Sequence, residues 1–159
     1  YPVDMDDFIQ FNRAIIEHDA QAMERVLIRI MSGASYLNLH ESTYQAVVMT
    51  LIHALSGRYR VKVEAHEGQG RVDILLSPKI PGNPYIIFEL KVAAGKKNLD
   101  ACVDEAFEQI HDREYYNGME GRVILIGMAF WNQVPRVRID SVMNGDGYAL
   151  SDANAGRIA

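Results

Sequence analysis

Apolar residues recur at helical spacing through the first third of the chain and then change period. Phe8, Ile9, Phe11, Ile15 and Ile16 follow Asp4, and Ala22, Met23, Val26, Leu27, Ile30 and Met31 follow Asp19, so two helices are predicted, the second with Asp19 as N-cap. Ser32-Gly33 ends the second. A third helix is predicted from Glu41, with Tyr44, Val47, Val48, Leu51, Ile52 and Leu55 on one face before Gly57. Beyond it the pattern reads as strands. Arg60 to Ala65 alternates, Val72 to Leu76 is apolar and β-branched, and Tyr85 to Val92 is an apolar run with charges near its end. Gly68-Gln69-Gly70 marks a tight turn and Pro78 to Pro84 a loop. Asn98 is placed to cap a helix with the stripe Leu99, Cys102, Val103, Ala106, Phe107 and Ile110. A strand from Arg122 to Phe130 follows. Pro135 is expected to interrupt, Arg136 to Ile139 to form a short edge strand, and the last ten residues to be loosely held. Helices followed by β-β-β-α-β predict an α/β domain around a mixed sheet.

Composition narrows this to one ordered globular domain. The chain has 159 residues, 48% apolar and 23% charged, which argues against disorder along its length. No apolar run reaches the ~18 residues of a membrane span, and Tyr1-Pro2-Val3-Asp4 lacks the features of a signal peptide. Cys102 is the single cysteine, which excludes an internal disulfide and favours a reducing compartment, so a cytoplasmic protein with no membrane partner is expected. The chain opens on Tyr1 where an initiator Met would stand, as expected of a processed protein or of a domain cut from a longer one. The net charge of -5 is unevenly spread: residues 53 to 97 carry a local +4 and the remainder -9. Such asymmetry allows a basic face toward an anionic partner.

Several site signatures fail on inspection. His40-Glu41 opens like a zinc-protease helix, but Tyr44 stands where the second His is needed. There is no phosphate loop or dinucleotide fingerprint, and Gly33-Ala34-Ser35-Tyr36-Leu37 lacks the last glycine of a nucleophile elbow. Cys102, on an apolar helical stripe, reads as a packed thiol. What remains is Asp73 on the second strand and Glu89 and Lys91 on the third. The latter pair sits two apart, so both side chains share a face. A chain of this length carries about one acid-Xaa-Lys match by chance. This match lies inside Ile86-Ile87-Phe88-Glu89-Leu90-Lys91-Val92, where unpaired charge is costly. The set reads either as an ion pair at a sheet edge or as a chemical site.

Glu41, Gly70-Arg71-Val72-Asp73, Glu89-Leu90-Lys91 and Gln109-Ile110 with Tyr115 behind them resemble the PD-(D/E)XK nuclease superfamily. The likeness is nearest to the nuclease-like domain found C-terminal to AAA-type ATPase-like domains in bacterial proteins, and spans about residues 8 to 130. Gln45 stands where a His is expected after the Tyr, Leu90 replaces the usual aromatic, and the Gln-Xaa3-Tyr form is unmatched because Arg113 follows Gln109 by four. The resemblance implies a restriction-endonuclease-like core with a mixed central sheet flanked by helices. That core would occupy residues 37–150, after a helical lead-in at 1–36 and before a loose tail at 151–159. It further implies an Mg2+ or Mn2+ site from Asp73, Glu89 and the carbonyl of Leu90, with Glu41 binding a second metal or holding a metal-bound water, and Lys91 and Gln109 completing the catalytic set. Arg71, Lys96 and Lys97 are then expected to meet nucleic acid, DNA ahead of RNA. The implied activity is metal-dependent phosphodiester hydrolysis. The alternative is a catalytically silent binding or regulatory module associated with an ATPase-like domain.

Overall fold

The computed structural model describes residues 3–33, 40–67 and 70–145, with only the main chain at 65–67 and 70–72. The helical lead-in forms α1 (Met5–Glu17) and α2 (Ala20–Ser32). Asp4 caps α1 in a reciprocal box with Asp7, and the buried Asp7 carboxylate is also paired with Arg29 of α2. His18 turns the chain between them in a left-handed conformation, φ 56°. α3 (Glu41–Ile52) continues into a short 3-10 turn at His53–Leu55.

Five strands follow in chain order across one sheet: β1 (Tyr59–Glu67), β2 (Gly70–Pro78), β3 (Tyr85–Val92), β4 (Gly121–Trp131) and β5 (Val134–Asn144). All neighbours are antiparallel except β3 and β4, which run parallel because α4 (Leu99–Asp112) carries the chain between them. The architecture is α/β with a mixed sheet, consistent with a restriction-endonuclease-like core after an N-terminal helical segment.

Strand alternation divides the core into two layers. Ile86, Phe88 and Leu90 of β3 and Ile124, Ile126 and Met128 of β4 pack with Phe11, Leu27 and Leu51 from α1, α2 and α3. Leu75, Ile87, Val123 and Leu125 point the other way, onto Leu99, Val103, Phe107 and Ile110 of α4. β3 and β4, covered on both faces, are therefore apolar almost throughout. α1 and α2 lie inside the first layer and share the core of the sheet.

β5 differs from expectation. It runs eleven residues, through Pro135 and beyond Ser141, where a short strand over 136–139 was predicted. Pro135 is its second residue on an edge strand, a position that tolerates a missing N–H. The polar end persists because Ser141 to Asn144 pair with Ile124 to Gly121 of a buried strand. Glu24 of α2 accepts the Val137 N–H at 2.8 Å, covering part of this edge. The loose tail expected at 151–159 and the 36/37 boundary lie outside the described residues.

Candidate active site

The site forms where β2 and β3 part. Their ladder pairs Leu76 with Ile86, Leu75 with Ile87 and Ile74 with Phe88, and goes no further. On the other side of β2, the Glu64 and Asp73 positions drop out of the β1 register between Val63↔Ile74 and Ala65↔Val72, and Glu64 has φ 54°. A non-glycine residue in that region is strained, and such strain concentrates at functional sites. Asp73 thus sits where β2 parts from β3 and its pairing with β1 is interrupted for one position. Its Oδ2 accepts the Leu90 N–H at 2.6 Å, supplying from a side chain the bond that the ladder no longer makes.

Glu89 follows on β3 and is 2% exposed. Its Oε1 accepts from Gln109 Nε2 at 2.9 Å, while its Oε2 is buried without a hydrogen-bond partner. Gln109, near the end of α4, connects the site. Its Oε1 accepts from Lys91 Nζ at 2.6 Å, and its Nε2 also donates to the Tyr115 hydroxyl at 2.8 Å. α4 comes near enough for these contacts because Gly127, the register partner of Glu89, lies beneath it. A Cβ there would sit 2.6 Å from the Phe107 ring.

Two of the site's acids hold protons above their usual range. Burial, only partly offset by the Leu90 N–H bond, raises Asp73 to about 6, with Glu41 and Glu64 adding to the rise and Lys91 opposing it. Burial first and the charge of Asp73 second raise Glu89 to about 8, and Lys91 again opposes. Burial raises Tyr115 as well, with the Gln109 hydrogen bond opposing. The pocket therefore concentrates negative charge in a poorly solvated place, with the Lys91 ammonium as the cation that opposes it at both carboxylates.

The structure brings Asp73, Glu89, Lys91 and Gln109 together and places Glu41, in the first turn of α3, near enough to bear on both carboxylates. Leu90 contributes its main chain, and its side chain is buried in the opposite layer. Lys96 and Lys97 stand exposed on a 3-10 turn before α4, apart from this network. The side chain of Arg71 lies outside the described residues. Phe130 is core: it is 1% exposed and stacks on Tyr44 at 4.3 Å. Tyr115 takes a larger part than its spacing suggests. It lies six residues after Gln109, and the left-handed Glu114, φ 49°, turns it back under α4. Glu64 is the other residue that sequence spacing did not single out.

The family model of the PD-(D/E)XK nuclease superfamily matches residues 39–137, from just before α3 into β5. The chain belongs to this superfamily. A search of curated proteins finds no match. The PD-(D/E)XK match holds every residue of the network above and leaves out α1 and α2. PD-(D/E)XK nucleases generally use divalent metal ions. No group of three or more His, Cys, Asp and Glu side chains suited to a metal occurs among the described residues. A metal here would rest on two carboxylates, main-chain oxygen and water. That donor set still fits: hard divalent cations take oxygen ligands and retain waters, and the unpartnered Oε2 of Glu89 beside Asp73 is an acceptor in want of positive charge.

Proposed function

We propose that this domain is a metal-dependent nuclease that hydrolyses phosphodiester bonds, DNA ahead of RNA. The observation that carries the reading is a buried Glu89 with an unpartnered oxygen, next to Asp73, with Lys91 held by Gln109 on the same strand face. Asp73, Glu89 and the Leu90 carbonyl would hold Mg2+ or Mn2+, with Glu41 near enough to hold a water of that site and outside the ligand set. When bound, such a cation supplies positive charge to the phosphoryl oxygens and makes water more acidic. Lys91 orients the attacking water and neutralises charge that develops on the phosphoryl group. Gln109 keeps that ammonium in place and fixes the rotamer of Glu89, with Tyr115 locking Gln109 from behind. Lys96 and Lys97 meet flanking phosphates, and Arg71 extends this contact.

Cleavage of supercoiled, linear and single-stranded DNA and of RNA, with Mg2+ or Mn2+, tests this reading. Activity lost in both Asp73→Ala and Lys91→Ala, with folding intact by circular dichroism, is expected; full activity in either variant refutes the mechanism. A second reading, a nuclease-fold binding module on an ATPase-like domain, draws on α1. Its Met5, Ile9 and Ile16 lie on one exposed face outside the superfamily match. That reading gains if no nucleic acid is cut and Mn2+ does not bind in a manner dependent on Asp73.

A further inference from the structure

A second concavity lies away from the carboxylates. β3 carries Glu89 and Lys91 toward α4, whereas Ile86, near the start of the same strand, faces α1. There, between α1 and the ends of β1, β3 and β4, is a cleft of about 600 Å³, within the usual range for a small-molecule site. Its floor is apolar, from Ile15, Ile86 and Ile124, and its rim carries Arg58, Arg122 and His18.

The charge of this rim is one-sided. Among the described residues no aspartate or glutamate lines the cleft, and neither arginine forms an ion pair. That contrasts with Arg29, Arg136 and Arg138, each of which meets a carboxylate. Arg58 immediately precedes β1 and Arg122 is the second residue of β4, three strand spacings or roughly 14 Å apart. The two therefore approach the cleft from opposite sides over an apolar floor. Asn12 on the α1 wall donates to the carbonyls of Phe8 and Leu51, which leaves its Oδ1 buried without a partner.

From this combination we infer that the cleft between α1 and the sheet binds a small organic anion, an aromatic or otherwise apolar body bearing a phosphate, sulfonate or carboxylate. The body covers the isoleucine floor, and the arginines supply charged hydrogen bonds to the anionic group. This site is independent of the carboxylate centre in both residues and sheet face.

Titration of the whole domain with 1-anilinonaphthalene-8-sulfonate, an aromatic sulfonate whose fluorescence rises on desolvation, tests the inference. Saturable binding to one site is expected, displaced by adenosine monophosphate and not by adenosine. Arg58→Ala combined with Arg122→Ala should weaken the dye by about tenfold or more, the loss of at least one charged hydrogen bond. Asp73→Asn should leave it unchanged, which separates this cleft from the proposed nuclease centre. Non-saturable fluorescence, equal displacement by adenosine, or an affinity that survives loss of both arginines would overturn the inference.

Discussion

Replacing Glu89 by glutamine probes the charge balance of the site through folding alone. In the metal-free domain the folded state raises Glu89 from 4.5 to about 8, so it retains a proton that the unfolded chain has released over that interval. Because the folded value is the higher one, the linked stability is fully present below the unfolded value and is lost as pH climbs through the folded one. At about 1.4 kcal/mol per pH unit the loss has an upper limit of about 5 kcal/mol. Titration shared with Asp73 and water at the open side of the site bring it to about 2 kcal/mol. Glutamine keeps the acceptor for Gln109 Nε2 and carries no titrating charge, so the difference between wild type and variant reports the Glu89 titration together with its coupling to Asp73. Urea unfolding in chelator at about pH 5.5 and about pH 8.5 reads it as a shift in midpoint at constant slope. Wild type should lose about 1.5 kcal/mol relative to Glu89→Gln over that span, which covers most of the interval. Added Mg2+ should return stability to wild type alone. A wild-type-to-variant difference that stays constant with pH to within about 0.5 kcal/mol would refute the assigned proton.

Two further outcomes follow from packing. Gly127→Ala places a methyl 2.6 Å from the Phe107 ring and should cost about 1 to 3 kcal/mol in thermal unfolding, with much of the loss recovered by Phe107→Leu in a double-mutant cycle; additive effects would place the clash elsewhere. Tyr44→Phe removes the 2.9 Å bond to the Asn132 carbonyl while keeping the stack on Phe130, and should cost about 1 kcal/mol by urea unfolding; no loss would mean that water replaces the hydroxyl.

Much of this architecture is legible in the sequence because its strongest signals are local. The capping Asp19, the helical stripes and the two buried strands announce themselves by spacing. Alternation alone puts Glu89 and Lys91 on one face, and the structure places Gln109 of α4 on that same face. What escaped depends on partners distant in sequence. The polar end of β5 is a strand because β4 pairs with it, which its own residues do not reveal. Tyr115 reaches Gln109 only through the left-handed Glu114, so a spacing rule that assumes continued helix looks four residues on and meets Arg113. The strained Glu64 carries no compositional sign, since its conformation goes with a one-position break in the pairing of β1 with β2. The anion cleft joins α1, β1, β3 and β4, and no window of sequence holds all four.

The bond from Leu90 N–H to Asp73 bears on how change at this site can be interpreted over evolutionary time. Asp73 closes a main-chain gap in addition to carrying charge. If the domain hydrolyses nucleic acid as proposed, a descendant without that activity would still be selected to keep an acceptor there, as aspartate or asparagine, for the sake of the sheet. Lys91 supplies no main-chain bond: it donates to the side chain of Gln109 and offsets the charge of the carboxylates. Retention of the aspartate is consequently a poor guide to whether a homologue remains active, and substitution of the lysine is the informative event.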